Sequence, residues 1–213
     1  MALKHTVNFI LNHPLNKRHR LSAVFRFLKW QIKSRIYSGP HIYPICEKSS
    51  ILVEKGLTGA TGNLYSGLHE FEDMGFLLHF LKPSDLFVDL GANIGSYSIL
   101  GASECEAETI SIEPIPKTFK RLVDNIKLNK VEDRVTCYNI GLGSETGILK
   151  FTKDLDTVNH VAKPSDKNTI EVPIKCFDDI KTLKKPTLVK IDLEGYETEV
   201  LKGMKNALAD ANF

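Results

Sequence analysis

The sequence predicts an α/β fold: a doubly wound, mainly parallel sheet preceded by an N-terminal helical extension. Three observations predict it. From residue 86 onward, short apolar runs alternate with helical stretches, the pattern of strand–helix–strand units. The run Phe87-Val88-Asp89-Leu90-Gly91-Ala92-Asn93-Ile94-Gly95 reads as a strand, a glycine turn and a helix start. The next apolar run ends on Glu113, where Pro114 and Pro116 stop the strand.

Taken in order, residues 21–36 place Leu21, Val24, Phe25, Leu28, Ile32 and Ile36 at steps of three and four, so they form a helix with that stripe as its apolar face. Gly39, Pro40 and Pro44 end it. Residues 56–67 carry four glycines and read as a loop. Leu68, Phe71, Met74, Leu78 and Leu81 mark a second helix over 68–81. Strands follow at 86–90, 109–112 and 135–140, with helices over 96–103 and 116–128 between them. Residues 148–152 and 170–176 alternate in polarity and are expected to pair antiparallel. A buried-type strand at 187–192 precedes a final helix over 198–208. The expected organisation is a basic helical arm (1–46), a loop and helix leading into the core (47–85), and the core itself (86–213).

The 213 residues suffice for one domain with a small appendage, and 42% apolar with 25% charged residues are ordinary globular values. No run of about 18 apolar residues is present, so no membrane-spanning helix is expected. The N-terminus lacks the apolar run of a signal peptide, and the cytoplasm is the expected compartment. Four scattered cysteines, none in a C-x-x-C pair, read as reduced thiols, and no cluster has metal-ligand spacing.

The net charge of +2 conceals an asymmetry. Residues 1–46 hold eight Lys/Arg and no acid, while the remainder carries 20 basic against 26 acidic side chains, a net of −6. The helix at 21–36 therefore suits either an anionic membrane interface, at the inner face of the membrane, or packing against the acidic body. No aromatic–basic stacking motif or Asn-Pro-Pro-Tyr-type segment points to nucleic acid.

The glycine turn carries the chemistry. A dinucleotide fingerprint requires glycine at 91, 93 and 96, but 93 and 96 are Asn and Ser. The second glycine of that fingerprint lets backbone approach a pyrophosphate. A ligand without phosphate does not need it, so S-adenosyl-L-methionine fits better than a nicotinamide dinucleotide. Asp89 can reach a ligand ammonium directly or through water. Glu113, 22 residues after Gly91, stands where a carboxylate accepts ribose hydroxyls. Each acid alone also reads as a helix cap or a solvated strand end. Alternation puts Lys190, Asp192 and Glu194 on one side of the last strand. Asp192 and Glu194 are candidates to orient or deprotonate an acceptor, or else form a salt-bridged strand end with Lys190. His160, in the polar loop 156–160, is a third candidate base.

The runs DLGANIGSYS, SIEPIPKTFKRLVDNIKLN and LVKIDLEGYETEVLKG resemble the FkbM family of methyltransferases, over about residues 64–205 in order and spacing. The resemblance implies a Rossmann-like methyltransferase sheet, S-adenosyl-L-methionine as cofactor, and O-methylation of a hydroxyl on a sugar, glycolipid or other small-molecule acceptor. By position it implies cofactor contacts from Asp89, Gly91, Asn93, Gly95 and Glu113, and places Asp192 and Glu194 in the family's K-I-D-x-E-G strand end. Tyr65, His69 and Glu70 lie in a segment that matches the family before the first strand, and are candidates for acceptor binding. The family pattern continues into a fifth parallel strand, whereas this sequence ends at Phe213. The core is therefore expected to lack its last strands and to leave the strand at 187–192 as a sheet edge. An inactive, truncated cofactor-binding module is the alternative reading.

Overall fold

The computed structural model describes residues 2–153, 155, 159–182 and 184–209. Two helices, α1 (Ala2–Asn12) and α2 (Arg20–Ile36), lead into a hairpin of β1 (His41–Pro44) and β2 (Ser50–Val53). Helices α3 (Thr58–Ser66) and α4 (Phe71–Phe80) precede the main sheet. That sheet is built from β3 (Leu86–Leu90), β4 (Glu108–Ile112), β5 (Val135–Tyr138) and β9 (Leu188–Ile191), in the order β5-β4-β3-β9. All three pairings are parallel. The expected α/β class is present: a mixed α/β chain around a parallel central sheet, consistent with a Rossmann-like methyltransferase fold.

Between these strands run α5 (Ser96–Ile99), continued by a π-turn to Glu104, and α6 (Pro116–Asn129). A small second sheet has the order β6-β8-β7, from β6 (Gly141–Leu142), β7 (Gly147–Thr152) and β8 (Thr169–Lys175). β7 and β8 pair antiparallel, as their alternation requires. Two short helices, α7 (Glu197–Lys202) and α8 (Lys205–Ala209), stand where one was expected. The break falls at Gly203, which lies so close to the Gly143 carbonyl that a Cβ would overlap it.

Each face of the main sheet carries its own core. Phe87 belongs to one cluster, while Leu86, Val88 and Leu90 belong to the other. This is the period of two expected of a strand covered on both sides. Asp89 shares the Phe87 side and is fully buried there.

Two expectations fail in the N-terminal third. Residues 56–67 are not a loop: Thr58–Ser66 is helical. The glycines signal a loop by propensity, but packing overrides it. At Gly62 the His69 imidazole occupies the place where a Cβ would stand, so only glycine lets the helix lie that close. In α2 the expected apolar stripe is not the buried one. Ala23, Phe27 and Trp30 face inward, while Leu21, Phe25, Leu28, Ile32 and Ile36 face out. The helix has two apolar sides, and the aromatic one packs. Trp30 meets the rings of His41 and Tyr43 edge-on at 5.7 and 5.8 Å, and Phe27 meets Tyr65 at 5.3 Å.

Candidate active site

The crevice lies beyond the carboxyl ends of β3, β4 and β9, where open parallel sheets place their ligands. It encloses about 300 Å³. The turn after β3 forms its floor. Gly91 has φ +75°, and a Cβ on it would overlap the backbone carbonyl oxygen of Asp192 at the end of β9. Glycine is thus required here by the approach of two strand ends. Gly91→Ala is expected to cost about 3 kcal/mol from left-handed strain and overpacking. The melting temperature should fall by about 6–12 °C. Gly75→Ala, in α4 with no atom within 4 Å of the new carbon, is the control. If the two variants melt together, the close approach does not constrain the turn.

Asn93 sits in the left-handed region at φ +50°. Its side-chain oxygen accepts from the Ile94 amide at 2.8 Å, and its own amide donates to Glu113 Oε2 at 3.0 Å. The Ile115 amide donates to Glu113 Oε1 at 2.9 Å. Glu113 is thereby clamped at the end of β4, facing the crevice. Burial pushes its pKa up to about 7, against the opposing pull of those two amides. Gly95 serves packing: a Cβ there would stand 2.6 Å from Leu122 Cδ1 of α6.

A second group of side chains crosses the crevice from β9 to α4. The Lys190 ammonium lies 3.6 Å from Asp89 Oδ1, 3.5 Å from Asp192 Oδ2 and 5.1 Å from the centre of the Tyr97 ring. The Tyr97 hydroxyl donates to Glu70 Oε2 at 2.6 Å, and burial, with that bond second, holds its proton on. Asp89 Oδ2 accepts from Ser98 Oγ at 2.6 Å, which itself accepts from Ser111 Oγ at 2.8 Å.

A model of the FkbM methyltransferase domain matches residues 89–213. The chain belongs to the FkbM methyltransferase family. The hexuronic acid methyltransferase AglP of Haloferax volcanii is 33% identical over 140 residues, 64% of this chain and 57% of that protein. A tRNA(Phe) (4-demethylwyosine(37)-C(7)) aminocarboxypropyltransferase of Pyrococcus horikoshii is 52% identical over 59 residues, 28% of this chain and 21% of that one. The solved methyltransferase FkbM from Methylobacillus flagellatus KT is 17% identical at a TM-score of 0.46, over 89% of this chain and 47% of that one. This FkbM chain therefore spans just over half the length of the first relative and about a fifth of the second.

Of the residues singled out from the sequence, the fold brings Gly91, Asn93, Glu113, Asp192, Glu194, His69 and Glu70 to one crevice. Four are placed otherwise, the first being Gly95, which packs against Leu122 and does not line the crevice. Asp89 lies beneath the floor and faces the crevice only through Lys190. Tyr65 is buried under α2, where the Gln31 amide donates to its hydroxyl at 3.2 Å, so it does not line the crevice. His160 stands at the rim beyond Glu194, with Nε2 3.3 Å from Asp166 Oδ2. Residues 156–158 of its loop lie outside the described residues.

Sequence reasoning missed Tyr97, Asn63 and Thr58 as crevice residues. Only the family run DLGANIGSYS contained one of them, Tyr97. Asn63 fixes the entry to α4, accepting from the His69 amide at 2.9 Å and donating to Ser96 Oγ at 3.1 Å. His69 itself is held below the ordinary histidine range by burial and packs edge-on against Phe9 at 5.2 Å.

Proposed function

We propose that the chain is an S-adenosyl-L-methionine-dependent O-methyltransferase acting on a hydroxyl of a sugar or other small-molecule acceptor. The observation that carries the cofactor assignment is Glu113. Its carboxylate is nearly buried, faces the crevice and has one backbone amide on each oxygen. A carboxylate offers about four lone-pair sites, so each oxygen keeps capacity for a ribose hydroxyl. The turn beside it spends its backbone amides on protein acceptors and carries Asn93 where a pyrophosphate would need glycine. These residues fit a nucleoside with free hydroxyls and no phosphate. Bound there, the cofactor supplies an electrophilic methyl on a sulfonium.

The chain's own residues then align the acceptor and take its proton. Asp192 and Glu194 are the candidates, with Glu70 fixed by Tyr97 on the opposite wall. Among the described residues the crevice holds four carboxylates, Glu70, Glu113, Asp192 and Glu194, against one ammonium, Lys190. That balance disfavours a phosphate-rich acceptor such as tRNA. The likeness to a hexuronic acid methyltransferase supports a sugar. Transfer of labelled methyl from S-adenosyl-L-methionine to hexoses and uronic acids, with tRNA in parallel, tests the reading. Label on a sugar oxygen is expected; label on tRNA alone, or on carbon or nitrogen, overturns it.

Glu113 makes cofactor binding pH-dependent. Its folded pKa of about 7 lies above the ordinary 4.5, so the native state binds more protons than the unfolded chain between those values. Its contribution to apo stability is full below about pH 4.5 and is lost as pH rises through about 7, in all about 3 kcal/mol. Ligand hydroxyls favour the ionised form, so affinity moves the other way. Below about pH 7, affinity for S-adenosylhomocysteine should fall by up to about tenfold per unit, with proton release on binding. Calorimetry at about pH 5.5 and about pH 7.5 measures both, and Glu113→Gln should flatten the dependence and cost about 1.5–3 kcal/mol at the higher pH. Equal slopes in parent and variant would remove Glu113 from the site.

A further inference from the structure

Among the described residues the outward face of α2 is left largely exposed, and its composition is unusual. Leu21, Phe25, Leu28, Ile32 and Ile36 are 88, 67, 51, 62 and 66% exposed. Spaced by three and four, they form one continuous stripe. Ala23 and Phe27, offset from Leu21 and Phe25 by two residues, or about 200°, lie on the opposite side and are buried. The helix is therefore already anchored, and the stripe is left over after packing. Isolated exposed leucines need no explanation, but a contiguous apolar row marks a contact surface.

The surroundings of the stripe select its occupant. Lys29, Lys33 and Arg35 flank it, and residues 1–46 contain eight basic side chains and no acid. Arg26 is spent inward, donating to Asn16 Oδ1 at 2.6 Å and to the Tyr65 carbonyl at 2.9 Å. A second copy of this chain, docked stripe to stripe about a two-fold axis, would bring two cationic rims together. An anionic lipid surface complements both features at once: apolar depth for the stripe and negative headgroups for the rim. We propose that α2 seats the protein on an anionic membrane by this outward face. The inference stands apart from the methyl acceptor's identity. α2 packs on α3 through Phe27 and Tyr65, and α3 supplies Thr58, Gly59 and Asn63 to the crevice, so this helix pair joins the stripe to the site.

Co-sedimentation of the full chain with vesicles tests it, comparing phosphatidylcholine alone with a phosphatidylglycerol mixture at low and high salt. At low salt the anionic vesicles should bind about tenfold more protein, and salt should reverse this. The double variant Phe25→Glu, Ile32→Glu should lose that binding about tenfold while keeping the parent's circular dichroism and melting temperature, since both side chains are exposed. Equal sedimentation with and without phosphatidylglycerol overturns the proposal. So does a variant that still binds, or a concentration-dependent dimer in light scattering that the variant abolishes, which would make a second copy the occupant.

Discussion

Lys190→Met is expected to destabilise the protein by about 3–5 kcal/mol, the cost of leaving a buried charge without its partner. The partner is Asp89, whose side chain is only 1% exposed and whose Oδ1 has the Lys190 ammonium 3.6 Å away and no hydrogen-bond donor. Ser98 serves the other oxygen. With methionine at 190, no other cation among the described residues pairs with that carboxylate, although the volume and the contact with the Tyr97 ring remain. The melting temperature should drop by about 6–20 °C. Asp89→Asn in the same background removes the stranded charge and should recover most of the loss. Thermal unfolding of the two single variants and the double variant separates this from simple loss of packing. Additive losses, or a Lys190→Met protein within about 1 kcal/mol of the parent, would show that the pair does not hold the crevice floor.

The parts legible from sequence are those whose causes are local. The turn from Phe87 to Gly95 can be read because strand, glycine and helix start are consecutive, and Glu113 because a strand must end before Pro114. β7 and β8 follow from alternation alone. Where a cause is remote, reading failed. Residues 58–66 look like a loop until His69 is seen standing where the Gly62 side chain would be. The periodicity of α2 finds its larger apolar stripe, yet burial goes to the face carrying Phe27 and Trp30, because their rings have Tyr65, His41 and Tyr43 to meet. The chain from Glu70 through Tyr97 to Lys190 and Asp89 joins four distant positions with no shared period. Asp89 was legible as an acid beside the turn, but its place beneath Lys190 was not.

Asp192→Asn is expected to lower turnover by about 10²–10⁴-fold, the range for a positioned base, while cofactor affinity changes little. Asp192 stands where β9 runs out: its amide still bonds to the Leu90 carbonyl at 3.1 Å, which fixes the backbone beside the Gly91 turn. Its carboxylate opens into the crevice, 60% exposed, with Lys190 at 3.5 Å to orient it. Asparagine keeps the shape and the backbone bond but cannot take a hydroxyl proton. The backbone then turns back through Glu194 and Gly195, both at positive φ, so Glu194 reaches the rim rather than the floor. His160 is farther out, beside Asp166. The ordering of effects should therefore be Asp192→Asn first, Glu194→Gln second and His160→Gln last. Methyl-transfer kinetics on a responding sugar, with calorimetric titration of each variant against S-adenosylhomocysteine, measure turnover and affinity separately. Loss of affinity in step with turnover would make Asp192 a cofactor-binding residue. Turnover close to the parent's would pass the proton to Glu194, whose glutamine variant would then show the larger loss.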